Sequence, residues 1–148
     1  MSLHTKGLMI APEHEAAILD RIRRIPIYAT LQMEATAFDH GYSELRVPRQ
    51  AMYDGVFESF HGGILMTIAD SVACFAVLTG TAVDQAMTTT DMNIRFLSPC
   101  LSHVTAKARV IKFGRVMCPV AVDLFDAAGK QVAVAQVNYM LLNRIPSR

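Results

Sequence analysis

Residues 60–80 read FHGGILMTIADSVACFAVLTG. From Ile64 to Leu78 everything is apolar except Thr67, Asp70 and Ser71. A run of this length describes a helix buried inside a folded domain. It falls short of the roughly 18 residues that mark a membrane span, and it carries a charge at its centre. Asp70 has no cation at helical spacing, because positions 66, 67, 73 and 74 are Met, Thr, Ala and Cys. An ionised carboxylate buried without partners is costly. Asp70 is therefore either half-exposed and hydrogen-bonded to backbone, Thr67 or Ser71, or a base or nucleophile facing a cleft.

His61, Gly62 and Gly63 lead into this run. Free N–H groups at a helix N-terminus attract negative charge, and glycine lets a ligand come close to the backbone. Together they are the parts of an oxyanion hole, which donates to the oxygen of a carbonyl under attack. Two glycines alone equally describe an ordinary helix entry. His61 and Asp70 are nine residues apart, about 13 Å along a helix at 1.5 Å per residue. One chain cannot bring both to a single carbon. Two copies with these helices antiparallel about a twofold axis can, each Asp70 then lying near the partner's glycine tip.

The flanking sequence supplies the frame. Residues 12–25, PEHEAAILDRIRRI, predict a helix, with Pro12 in the first turn, acids early, arginines late and Ile18, Ile22 and Ile25 on one stripe. Pro26 ends it. Strands are predicted at 28–37 and 42–48, joined through the FDHG turn, and residues 49–60 are irregular. After Gly80 the pattern has period two: Thr90, Met92, Ile94 and Phe96 alternate with Thr89, Asp91, Asn93 and Arg95. Three further strands follow in HVTAKARVIKF, VMCPVAVDLFD and QVAVAQVNYMLL, the last two flanking the AAGK hairpin turn. Pro119 marks an edge or a bulge. The expected architecture is α+β, an antiparallel sheet of about six strands wrapped around one long central helix. The 148 residues suit a single domain, with an N-terminal segment and helix over 1–25 and the sheet-bearing part over 26–148.

Composition narrows the function. The chain is 52% hydrophobic and 18% charged, with a net charge of +1 and both signs dispersed. No basic face points to nucleic acid, and the apolar excess points to surface buried against another copy. Cys74, Cys100 and Cys118 fit neither a disulfide framework nor a zinc pattern, and Cys74 reads as a small core residue. The N-terminal stretch lacks a basic start followed by an apolar core, so a cytoplasmic location without a membrane is expected. His4, His14, His40 and His103 show no metal spacing and read as solvated. HExxH, GxSxG and P-loop patterns do not occur.

The motif FHGGILMTIADS, followed by TTDMNIRFLSP and by strands containing DAAGKQVAVAQ, resembles the hotdog-fold acyl-CoA thioesterases, in particular their phenylacetate-degradation-type branch. The resemblance runs from about residue 40 to 142. It implies that Gly62 supplies the N–H that polarises a thioester carbonyl, and that the partner's equivalent of Asp70 attacks that carbon or activates water. His61 would position the thioester, and Thr89 would orient the water or the carboxylate. Gly63 and the preceding loop, with Gly55 and Glu58, would line the substrate. Members of this branch commonly carry Asn six residues before the His; here Gly55 stands there beside Asp54, and Glu58 is the nearest substitute. Arg95, Lys112 and Arg115 are candidates for coenzyme A phosphates or simple solvated bases. Met33, Met52, Met66 and Phe57 could line an acyl pocket or fill the core.

The expected function is hydrolysis of an acyl-CoA thioester by a homodimer or dimer of dimers, without metal or redox cofactor. A non-catalytic acyl-CoA binding or sensing protein is the alternative that Gly55 permits. A hotdog hydratase or dehydratase fits less well, because the His–acid pairing of that chemistry has no place here.

Overall fold

A computed structural model describes residues 8–143. The elements are α1 (Pro12–Arg23), α2 (Pro26–Thr30), β1 (Glu34–Asp39), β2 (Tyr42–Val47), a 3-10 turn at Ala51–Tyr53, α3 (Gly62–Leu78), β3 (Met87–Phe96), β4 (Val104–Val110), β5 (Met117–Phe125) and β6 (Gln131–Leu141). The six strands form one antiparallel sheet in the order β1-β2-β4-β5-β6-β3. The sheet wraps α3, which packs mainly on β2, β4 and β5. This is the α+β hotdog architecture expected from the sequence.

Alternation explains the two faces of the sheet. Leu45, Val47, Val104, Ala106, Ala108, Val120, Val122 and Leu124 are wholly or almost wholly buried on the helix side. The intervening Glu44, Lys107 and Asp123 line up across β2, β4 and β5 on the outer side. Ile68, Ala69, Val72, Ala73 and Ala76 of α3 complete the core at 0% exposure. Ile18 and Ile22 of α1 are equally buried, and His14 Nε2 lies 2.8 Å from the Leu78 carbonyl. The expectation that His14 is merely solvated is corrected: it ties α1 to the end of α3. His4 lies outside the described residues.

The strand expected at 28–37 is also corrected. Pro26 does end α1, but its fixed φ then opens the short helix α2. Gln32 takes a left-handed φ of 54° to turn the chain, and β1 starts only at Glu34. The following hairpin closes through His40 and Gly41, with Asp39 opposite Tyr42. Gly41 needs its φ of 73° there, and its N–H donates to Thr79 Oγ1 at 2.7 Å, fixing the hairpin to the end of α3. Pro119 lies in β5, an interior strand. It sits just beyond the last β4–β5 pair, Val110 with Val120, where its carbonyl still accepts the Ile111 N–H at 2.8 Å, so its missing N–H costs only the return bond at the end of that ladder.

One flank of α3 is left uncovered. Gly63, Met66, Thr67, Asp70, Ser71 and Cys74 recur at helical spacing and are exposed or half-exposed, while the opposite faces are buried. Beside that flank β3 is the end strand, paired only with β6.

Candidate active site

Asp70 is held by two hydroxyls from the sheet. Thr89 Oγ1 donates to Asp70 Oδ1 at 2.7 Å, and the Tyr139 hydroxyl reaches the same oxygen at 2.6 Å. Tyr139 also lies 2.8 Å from the Asp70 main-chain oxygen. Thr67 and Ser71 play no part, because they donate to the carbonyls of Gly63 and Thr67 one turn back. No described side chain bonds Oδ2. The carboxylate thus has one oxygen fixed and one open on the uncovered flank.

A bulge decides which threonine reaches it. Thr89 pairs with Tyr139 and Asp91 with Asn138, leaving Thr90 as an extra residue on β3. Strict alternation had placed Thr89 with Asp91, on the face away from Met92 and Ile94. The extra residue turns Thr89 inward to that face and sends Thr90 out, where its Oγ1 bonds Asp91 Oδ1 at 2.9 Å. Asn138 Nδ2 donates to Asp91 Oδ2 at 2.8 Å and anchors the outer side of the bulge.

Burial, the neighbouring Cys74 and the bond to Asp70 push the Tyr139 hydroxyl far above its ordinary range, so it remains a donor at neutral pH. Burial and then the charge of Asp70 push the Cys74 thiol up to about 11. Cys74 is therefore an inert neutral neighbour, not a nucleophile.

The other half of the site lies at the head of α3. His61 is the N-cap, and its Nδ1 accepts the Gly63 N–H at 3.0 Å, the task usually done by Ser, Thr, Asp or Asn. An Nδ1 that accepts leaves the ring proton on Nε2. The Ile64 and Leu65 N–H groups both return to the His61 carbonyl. The Gly62 N–H is thus the open donor of this tip, with no hydrogen-bond partner among the described residues. The ring of half-exposed Phe96 lies over it, its Cζ 3.2 Å from where a Gly62 Cβ would stand.

The loop before His61 is closed on itself. The Gly55 N–H donates to the Ser59 carbonyl at 2.9 Å and the Glu58 N–H to the Gly55 carbonyl at 3.1 Å, with Glu58 at a φ of 56°. Arg49 staples the loop through both Asp54 oxygens at 3.0 and 2.5 Å, the Glu58 carbonyl at 2.9 Å and the Leu101 carbonyl at 3.2 Å. Its hydrogen bonds hold the Asp54 carboxyl below its ordinary value. A Cβ at Gly55 would meet the His61 ring edge at ordinary contact distance.

The remaining candidates disperse. Met33 is core at 5% exposure, whereas Met52 at 79% and Phe57 at 91% are exposed on the single chain, which corrects the expectation that they fill the core. Arg95 lies on the outer face of β3, its Nη1 bonded to the Ile94 carbonyl. Lys112 and Arg115 are exposed in the β4–β5 loop, whose Phe113 abuts Gly80 beyond the far end of α3. A concavity of about 850 Å³ has Tyr42, Lys107, Arg109, Asp123 and Phe125 among its lining residues. It lies on the outer side of the sheet, away from Asp70. Among the described residues no group of His, Cys, Asp or Glu gathers as a metal site, and no helix is long and apolar enough to cross a membrane.

Tyr139 is the site residue that sequence reasoning missed. Its signal was present: in QVAVAQVNYMLL it shares the inward positions with Val137 and Leu141, and a buried tyrosine hydroxyl needs a partner.

A model of the Thioesterase superfamily matches residues 57–133, more than half of the 148-residue chain. The chain belongs to that superfamily, and its class is that of a thioester hydrolase. No curated protein matches it significantly. Among solved structures it is similar to the Escherichia coli PaaI protein from the phenylacetic acid degradation operon, with a TM-score of 0.83 at 18% identity over 90% of this chain and 96% of that one. A thioesterase family protein from Silicibacter pomeroyi gives 0.82 at 23% identity, covering 88% and 99%. A putative thioesterase from Ralstonia eutropha, described as phenylacetic acid degradation-related, gives 0.76 at 24%, covering 84% and 98%. At these identities the likeness is one of fold, and it agrees with the hotdog resemblance.

Proposed function

We propose that this protein hydrolyses an acyl-CoA thioester to a free acid and coenzyme A, at sites shared between two copies of the chain. Asp70 is the base or nucleophile, acting through Oδ2. The Gly62 N–H of the other copy receives the developing oxyanion. His61 caps that helix tip and helps to place the thioester, and Thr89 orients the carboxylate. The observation that carries this reading is the Asp70 carboxylate, tethered at Oδ1 by two hydroxyls and open at Oδ2 on the uncovered flank of α3. A half-exposed carboxylate held at one oxygen and left unbonded at the other is poised to react rather than to brace the fold.

Two features support the shared site. Gly62 and Asp70 lie eight residues apart on a straight helix, about 12 Å at its rise per residue, so the two groups of one chain cannot meet at one carbon. The uncovered flank also adjoins the open edge of β3, and an exposed edge strand of ten residues is normally covered. A second copy about a twofold axis covers both.

The test is thiol release from a panel of acetyl-, hexanoyl- and phenylacetyl-CoA, the last chosen for the likeness to PaaI. Asp70→Asn is expected to remain folded and to abolish turnover; retained turnover refutes the role of Asp70. The sensor alternative is favoured by Gly55, which offers no side chain where the related branch carries an amide. Saturable binding of these acyl-CoAs with no release above background would support it instead.

A further inference from the structure

We infer that Tyr139 is the positioning residue of the Asp70 carboxylate, an assignment that rests on the reading of Asp70 as the reacting group. Tyr139 comes from β6, 69 residues along the chain, and is 5% exposed. Its hydroxyl has one proton and two acceptors in reach, Asp70 Oδ1 at 2.6 Å and the Asp70 carbonyl at 2.8 Å. The carboxylate is the stronger acceptor, because charge-assisted bonds are shorter and stronger than neutral ones. Thr89, directly opposite Tyr139 on the β3–β6 ladder, donates to the same oxygen. Two donors from a single rung of the sheet lock the rotation of the carboxylate about Cβ–Cγ. They also satisfy Oδ1 and direct reactivity to Oδ2. The bulge at Thr90 brings this rung into being, since without it Tyr139 would face the next residue of β3.

Tyrosine also fills space, so packing must be separated from positioning. Tyr139→Phe keeps the ring and removes only the donor. In the full chain, with the acyl-CoA that the wild type turns over fastest among acetyl-, hexanoyl- and phenylacetyl-CoA, kcat is expected to fall at least about tenfold. KM should stay within about twofold, and the melting temperature within about 4 °C. Thr89→Val, which removes the second donor to Oδ1, should act in the same way, and the double variant should lose more than either single one. Wild-type kcat in Tyr139→Phe, alongside an inactive Asp70→Asn, overturns the role of Tyr139 alone. A loss carried by KM, or matched by a loss of folded protein in circular dichroism, overturns it as well. Full activity in Asp70→Asn overturns the underlying reading and this assignment with it.

Discussion

Gly62 sits at the first helical position of α3, and that position permits an unusually clean substitution. Proline is well tolerated there, because its missing N–H is one the helix does not use. The preceding His61 already has the extended backbone, φ −60° and ψ 128°, that a following proline requires. Gly62→Pro therefore deletes the proposed oxyanion donor and little else. The neighbour that must give way is the far end of the Phe96 ring, which is 52% exposed and can swing outward. The expected result is a folded protein by circular dichroism with kcat lowered about 10²- to 10³-fold. Gly62→Ala retains the N–H and disturbs only Phe96, so it should cost less. Equal activity in Gly62→Pro and the wild type would remove Gly62 from the mechanism.

At the scale of elements, the loop that delivers His61 depends on one ion pair. The Arg49 hydrogen bonds hold the Asp54 carboxyl below its ordinary value of 3.8. A carboxyl depressed in the folded state stabilises the fold above its unfolded value, and that contribution disappears as pH falls through the folded value. Amide protection at Gly55, measured by hydrogen exchange, should be steady from neutral pH down to about pH 4 and collapse below it. Arg49→Ala should show the collapsed level at every pH. Protection in that variant equal to the wild type would show that the Gly55–Ser59 turn holds without the staple.

The elements also differ in how openly the sequence declares them. The apolar run at 64–78 could only be a buried helix, and the period-two strands after Gly80 were equally plain. The segment at 28–33 was not, since Ile27, Tyr28 and Leu31 suit a strand by composition while Pro26 starts a helix by geometry. At the site, Asp70, His61 and Gly62 were legible because an isolated charge and paired glycines break an apolar pattern. The Thr89 contact was legible only through family resemblance. Residues 88–90 are three identical threonines, so no periodicity can say which one is extra. The inward position of Tyr139 was legible from alternation, but its partner Asp70, 69 residues away along the chain, was not.

For the whole molecule, the decisive question is whether a complete site needs two chains. Asp70→Asn and Gly62→Pro damage different halves, so each homodimer should be inactive. When the two are unfolded together and refolded as a mixture, half the dimers carry both variants. Each mixed dimer joins an intact Asp70 from one chain to an intact Gly62 from the other. Activity is then expected to return to about a quarter of the wild-type level. A mixture as inactive as its parents would refute a site built from Asp70 of one chain and Gly62 of the other.

The first helix has a bearing on how far the chain can be shortened. A version beginning at Pro26 would keep all six strands and the whole of α3, and on paper would look self-sufficient. It would nevertheless lack Ile18 and Ile22, both fully enclosed, and the imidazole that grips the Leu78 carbonyl. Emptying the space of even one such side chain commonly costs about 2–5 kcal/mol, out of a net stability of about 5–15 kcal/mol. What resembles a dispensable leader is a wedge driven into the interior, and trimming it would bring down the rest.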